Sequence, residues 1–200
     1  MTIQPQPGRR NAVLRVRAGS GSISIRIDRP HLHGGHDRFR IDKSVSQRTY
    51  DTIVEAGSGS IHAELLHGGH GGKTMVSVES GSLDLHVIPV SDDPSTLRTS
   101  TRSGTNKVVV SDPLQPSHLA NLSASHKSLI SGMLDISYPR AWQGRVHALA
   151  LGSGQVVVKG NDLRFERQGR DVLASRGCDP RAGKLIEVFS EGSGLINFTA

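Results

Sequence analysis

Cysteine and aromatic residues are scarce in this 200-residue sequence, and no long apolar run is present. The one cysteine, Cys178, excludes an intrachain disulfide framework and a multi-cysteine metal site. Aromatic residues make up 4% of the chain, so the core must be built from aliphatic side chains. The mean hydropathy of −0.30 and the lack of a long apolar stretch exclude a transmembrane helix. Because no apolar signal segment opens the sequence, we expect a cytoplasmic protein.

Positive charge is concentrated at the start of the chain, where residues 1–48 hold ten Lys or Arg against three Asp or Glu. Such a basic stripe attracts anions, and its candidate binding residues are Arg15, Arg17, Arg38 and Arg40. We do not expect nucleic acid as the partner, because only Phe39 interrupts these arginines and base stacking needs several aromatic residues. The other interpretation is that outward-pointing arginines keep an edge strand from pairing with other molecules.

The dipeptide Ser-Gly recurs along the chain and divides it into similar segments. It stands at 20–21, 58–59, 80–81, 103–104, 131–132, 153–154 and 193–194. Three of the six intervals are 22 or 23 residues long, and the other three contain insertions. Glycine suits a corner because it accepts a positive φ without a Cβ clash. The spacing therefore indicates a repeated unit with a corner at each Ser-Gly pair.

Apolar residues alternate with polar ones on both sides of each Ser-Gly pair. Two places after the glycine stand Ile23, Ile61, Leu83 and Leu134, with Asn106 in the fourth copy. A period of two indicates strands with one buried face, which segments of this length can bury only against their neighbours. We predict an all-β protein, a single-domain β-solenoid of about seven coils with Ser-Gly corners and one apolar column through these positions. The alternative is a β-sandwich of hairpins.

The predicted β-solenoid domain covers residues 12–200 and follows a disordered N-terminal segment, residues 1–11. Three inserted loops interrupt the spacing, at 28–48, 111–125 and 160–183. The last loop contains two short strand-like pieces about Gln168 and Gly169, which predict a projecting hairpin. Because binding residues are concentrated on loops held by a rigid scaffold, we expect a partner to contact loops 28–48 and 160–183.

The corner motifs also carry a family resemblance. Ala18-Gly-Ser-Gly-Ser-Ile23 and Ala56-Gly-Ser-Gly-Ser-Ile61 resemble the corners of the toastrack-type β-solenoid domains that are described as adhesins. The stretch from Tyr138 to Gly154, which contains Trp142, is similar to the fungal branch of that family. The resemblance implies a β-solenoid of uncharacterised, adhesin-like function. It implies no catalytic residues.

Histidine-rich loops follow the first two predicted coils. His31, His33 and His36 lie in the first loop, and His67 and His70 lie in the second. If the coils stack, both loops leave on the same side, and their imidazoles can converge on a divalent transition metal such as Zn²⁺, Ni²⁺ or Cu²⁺. The other interpretation is two solvated His/Gly tracts and no cofactor.

The outward-facing residues three places after each glycine include the types of side chain found in a hydrolytic triad. His62 and Asp84 stand there, with Ser60 and Ser82 nearby. Stacking alone brings such residues to about 5 Å from one another, so their closeness is no sign of catalysis. A nucleophile elbow, a P-loop and a dinucleotide fingerprint are absent from the sequence. We therefore predict no enzyme and no catalytic residues.

Taken together, the patterns predict a non-enzymatic, adhesin-like binding or scaffolding module that presents loops from a rigid β-solenoid. Its partner is a protein or a glycan whose identity the sequence does not give. The alternative function is a metal-binding or hydrolytic protein that uses the His-rich loops 31–36 and 67–70. Because the last coil ends without a polar cap, we expect a homo-oligomer through the C-terminal edge strand.

Overall fold

The computed structural model describes residues 11–26, 48–113, 115–177 and 185–200. Within these ranges the chain is all-β, as predicted, and a 3₁₀ helix at Pro116–Leu119 is its one helical element. The strands are β1 (Asn11–Ile25), β2 (Thr49–His67), β3 (Lys73–Pro89), β4 (Ser95–Val110), β5 (Leu122–Ser137), β6 (Gly144–Ala150), β7 (Gln155–Lys159), β8 (Arg164–Arg167), β9 (Asp171–Arg176), β10 (Leu185–Ser190) and β11 (Leu195–Thr199). The same ranges contain no helix long and apolar enough to span a bilayer.

All of these strands belong to one sheet, which does not close on itself. Its order is β1-β2-β3-β4-β5-β10-β6-β9-β8, and β11 pairs with β5 and β7. Eight of the ten pairings between described strands are parallel, and the two antiparallel ones involve β9. Parallel pairing does not fit the hairpin-connected β-sandwich that was the alternative prediction. The seven-coil β-solenoid stays a prediction.

The Ser-Gly pairs of neighbouring strands lie directly opposite each other. Gly59 of β2 faces Gly81 of β3, which in turn faces Gly104 of β4. All three glycines have a positive φ, between +114° and +137°. The backbones approach so closely that a Cβ on Gly81 would lie 1.8 Å from the carbonyl oxygen of Gly59. Glycine is required here for space as well as for conformation.

The core lies beneath alternate residues of these strands. Ile23, Ile61 and Leu83 stand opposite one another and are at most 8% exposed. The row continues through Asn106 to Leu134, and both side chains are fully buried. The predicted apolar column is therefore present, with one polar side chain in its fourth place.

A chain of hydrogen bonds satisfies most of the polar groups around that side chain. Asn106 Nδ2 donates to Thr99 Oγ1 (3.0 Å) and to the carbonyl oxygen of Lys127 (3.4 Å). Thr99 Oγ1 is also 2.9 Å from His126 Nδ1, and His126 Nε2 is 3.1 Å from the hydroxyl of Tyr138. Burial lowers the pKa of His126 to about 3, so the imidazole is neutral in the folded protein.

The C-terminal segment does not form an edge strand, so the predicted oligomer contact through it is wrong. β10 pairs with β5 on one side and with β6 on the other, and β11 lies in the same way between β5 and β7. The backbone of Ala200 also donates to the carbonyl oxygen of Lys159. Both strands therefore already have hydrogen-bonded partners on each side, and neither offers a free edge.

The predicted loops differ from the observed elements in three places. β1 begins at Asn11, and β5 begins at Leu122, so each of these segments becomes a strand before its predicted boundary. Within the third insertion, β8 and β9 form an antiparallel pair about Gln168 and Gly169. This hairpin does not project, because β9 pairs along its length with β6. Residues 27–47, which make up nearly all of the first loop, lie outside the described residues.

Candidate functional site

The predicted histidine site is only partly within the described residues. His31, His33 and His36 lie outside them. His67 is 1% exposed, its Nδ1 is 2.9 Å from Thr74 Oγ1, and burial lowers its pKa to about 4. His70, by contrast, is exposed in the turn after β2. Across the described ranges, no three His, Cys, Asp or Glu side chains lie close enough together to hold a metal ion.

The predicted arginine site is divided in the same way, since Arg38 and Arg40 also lie outside the described residues. Arg15 and Arg17 are exposed on β1, which is the first strand in the sheet order. Arg17 Nε lies 2.6 Å from Glu55 Oε2 on the neighbouring strand. An exposed ion pair of this kind contributes little to stability. It does, however, partly neutralise the charge that Arg17 would offer to an anion.

His62 and Asp84 do come together, but without a nucleophile. His62 Nδ1 lies 3.1 Å from Asp84 Oδ2, and Lys107 Nζ lies 3.9 Å from Asp84 Oδ1. Ser60 Oγ is hydrogen-bonded to Ser22 Oγ at 3.0 Å, and no contact joins it to His62. These are ladder contacts between neighbouring strands on an exposed face.

A second serine–histidine pair was missed by the sequence reasoning. Ser111 Oγ lies 2.5 Å from His86 Nε2, and His86 Nδ1 lies 3.8 Å from Glu64 Oε1, beyond hydrogen-bond distance. The backbone N–H of Ser111 donates to the carbonyl oxygen of Val87, so it is not free to stabilise an oxyanion. The order of groups resembles a triad, but the acid contact and this oxyanion donor are lacking.

A concave feature with unpaired charge lies on the sheet face before the corners. It is a cleft of about 380 Å³ across β2, β3, β4, β5 and β10. Ten residues line it: Glu55, Met75, Val76, Ser77, Arg98, Thr99, Ser100, Ser125, Lys127 and Glu187. Its volume falls within the range of small-molecule binding sites.

The strand register explains how the cleft is assembled. Arg98 of β4 stands opposite Ser125 of β5, and Ser100 stands opposite Lys127. The two cations are therefore diagonal neighbours on adjacent strands, each beside a serine. Glu187 of β10 stands opposite Ser125 on its other side and closes this end of the cleft. Val76 and Thr99 are buried and form its floor.

Charged groups in the cleft are available to a ligand. Arg98, Lys127 and Glu187 are exposed, and no ion pair or side-chain hydrogen bond joins any of them to another described residue. Met75 adds an apolar contact surface, since 42% of it is exposed. The arrangement offers two adjacent cations, three half-buried hydroxyls and a terminal carboxylate.

The cleft was missed because candidate functional side chains were sought only in the rows after each glycine. Its residues occupy the rows four and six places before the glycine, as Ser77 and Met75 do in β3 and Ser100 and Arg98 do in β4. One extra residue before Gly132 shifts Ser125 and Lys127 out of that count. The same repeat would have indicated the β3 and β4 positions, but not those of β5.

Comparison with known proteins gives a structural match but no family match. Neither the models of protein families nor the curated proteins match this sequence. Among solved structures, a protein of Clostridium sporogenes to which a role in cell adhesion is ascribed has a TM-score of 0.48 and 13% identity. The match covers 100% of this chain and 96% of that one. A likeness at this level carries no argument about function.

Proposed function

We propose that this chain is a non-enzymatic, adhesin-like binding module that acts without a cofactor and binds its ligand in the cleft between Arg98 and Lys127. We also propose that its strands form a β-solenoid of seven coils, one for each Ser-Gly pair. The opposed glycines of β2, β3 and β4 support that arrangement. The single observation that carries the function is the pair of unpaired cations in the cleft.

The chemistry of the cleft favours an acidic saccharide as the ligand. A planar guanidinium such as that of Arg98 can bind a carboxylate through two parallel hydrogen bonds, and the ammonium of Lys127 adds a second charge-assisted contact. The hydroxyls of Ser77, Ser100 and Ser125 suit a ligand with many hydroxyl groups. A uronic acid chain carries both kinds of group.

The cleft is less suited to a nucleic acid strand. Proteins that bind single-stranded nucleic acids stack the bases on aromatic side chains, and the cleft lining contains no aromatic residue. Glu187 can accept hydrogen bonds from sugar hydroxyls. Binding through loops 28–48 and 160–183, as predicted from the sequence, stays a prediction.

Titration calorimetry with an oligogalacturonate at low salt tests the proposal. The wild-type chain should bind it, and the variant R98Q/K127Q should bind about a hundredfold more weakly, because two charge-assisted hydrogen-bonding groups are lost. The matched control is K159Q/R164Q, which removes the same charge from exposed positions outside the cleft. It should bind like the wild type.

Three results would contradict the proposal. The wild-type chain shows no binding, or both double variants weaken binding equally, which would indicate a general charge effect. The third is that a single-stranded DNA oligonucleotide of equal charge binds at least as tightly and depends on Arg98 and Lys127. An uncharged maltooligosaccharide should bind much more weakly, since it offers no anionic group to the two cations.

A further inference from the structure

Five large hydrophobic side chains lie exposed at neighbouring corners of the sheet. They are Leu129, Ile130, Met133, Leu151 and Leu195, and they make up five of the nine exposed large hydrophobic residues in the described part of the chain. We name them the apolar ridge. Ile130 is 52% exposed and Leu151 is 44% exposed. Together they form an exposed hydrophobic patch, a feature typical of interaction surfaces.

The strand pairing brings the members of the apolar ridge together. Met133 of β5 stands directly opposite Leu195 of β11. A Cβ on Gly192 would lie 2.0 Å from the carbonyl oxygen of Ile130, so those corners touch. The backbone N–H of Leu151 donates to the carbonyl oxygen of Ser190, so the corner after β6 lies next to the corner after β10. The ridge is therefore continuous over three adjacent corners.

The other corners differ sharply in polarity. The position that Met133 and Leu195 occupy is taken in β1 to β4 by Ser22, Ser60, Ser82 and Thr105. The change occurs at β5, where Leu129 and Ile130 replace the single Arg102 of β4 and the register shifts. Solvated corners are thus possible in this fold, and the apolar ones are not required by it.

Opposite charges flank the β5 corner of the apolar ridge at matching distances. Arg102 lies one strand before it and Glu191 one strand after it, each about 4.8 Å away along the sheet. Both side chains are exposed, and neither forms an ion pair with a described residue. A two-fold axis along the β5 corner would place Arg102 of one copy against Glu191 of a second copy, and the reverse.

We propose that the β5 corner of the apolar ridge, with Leu129, Ile130 and Met133, is a self-association surface that binds a second copy of this chain. In this dimer Ile130 and Met133 pack against the same residues of the second copy, and two Arg102–Glu191 pairs border them. The apolar area is smaller than that of a standard protein interface, so the dimer is weak and depends on concentration. This inference goes beyond the proposed binding function and does not rest on it.

Sedimentation velocity over a range of protein concentrations tests the surface. The wild-type mass should rise from 21.4 kDa toward twice that value, and I130S/M133S should remain monomeric. The control F165S removes an exposed hydrophobic residue from β8 and should associate like the wild type. A wild type that stays monomeric throughout, or an I130S/M133S variant that associates normally, would overturn the proposal.

Charge reversal tests the two-fold arrangement with variants that leave the apolar residues unchanged. R102E and E191R should each weaken the dimer about tenfold, because each creates two like-charge contacts. R102E/E191R should restore the wild-type affinity, since the opposite charges face each other again. A double variant no stronger than the single ones would overturn this placement of the axis.

Discussion

His67 and His126 are ionisable side chains that the fold holds without charge. Each has a hydroxyl partner, Thr74 for His67 and Thr99 for His126. Neither has a carboxylate that would favour the imidazolium, and burial lowers both pKa values, to about 4 and about 3. A neutral imidazole can either donate to a hydroxyl or accept from it, so the two side chains act as polar core residues. His67 is buried in the core, which its position in the predicted metal loop did not indicate.

The free energy of unfolding should therefore depend on pH below about 6.5. Between pH 6.5 and 4 the unfolded chain binds protons at these two histidines and the folded chain does not, so stability falls as the pH is lowered. Each histidine contributes up to about 1.4 kcal/mol per pH unit to this slope. Urea unfolding at several pH values should give a smaller slope for H67Q than for the wild type.

The exposed His70 provides the control for that measurement. H70Q makes the same substitution at an exposed position, so it shows the effect of replacing a histidine that the fold does not bury. An H67Q slope equal to that of the wild type would show that His67 is protonated in the folded protein. The slope is the readout, so a loss of overall stability in H67Q does not affect the conclusion.

At the scale of the strand, the corner glycines set how closely neighbouring backbones approach. Gly81 and Gly21 occupy the same corner position, with φ values of +137° and +103°. A Cβ on Gly81 would collide with the backbone of β2, whereas no described atom lies within 4 Å of a Cβ on Gly21. The two glycines share the conformational requirement, and only Gly81 adds a steric one.

The variants G81A and G21A separate these two requirements. G21A should lower the free energy of unfolding by about 1 kcal/mol, the cost of a positive φ at a residue with a Cβ. G81A should lower it by about 3 kcal/mol or more, because the strands must also move apart. Urea denaturation of both variants measures the difference. Equal losses would mean that the corners are not closely stacked.

Much of this element-scale structure could be predicted from the sequence. The alternation about each Ser-Gly pair indicated the strands, and the opposed rows of Ile23, Ile61 and Leu83 follow because each of these residues stands two places after its glycine. The buried Asn106 breaks the pattern, and its Nδ2 donates to Thr99 Oγ1, a contact between residues seven apart that periodicity does not reveal. The extra residue in β5 likewise changes the distance of Lys127 from its glycine, so the repeat does not predict that Lys127 lines the cleft.

At the scale of the whole molecule, the order of the strands in space differs from their order in the chain. β10 and β11 lie between β5 and the β6–β7 pair. The Ser-Gly spacing could not predict this, because equal units fit against β5 in either order. Because β10 and β11 lie beside β5, Glu187 lines the cleft, and Leu195 and Glu191 lie next to the β5 corner.

Disulfide cross-linking in a C178S background tests this insertion, on which both proposed surfaces depend. Ser125, Glu187 and His147 stand in one row, on β5, β10 and β6. Neighbouring strands are about 4.8 Å apart, within disulfide reach, and strands separated by a third are about 10 Å apart, beyond it. Oxidation should therefore cross-link S125C/E187C and leave S125C/H147C reduced. A cross-link in S125C/H147C but not in S125C/E187C would place β6 beside β5 and contradict the account.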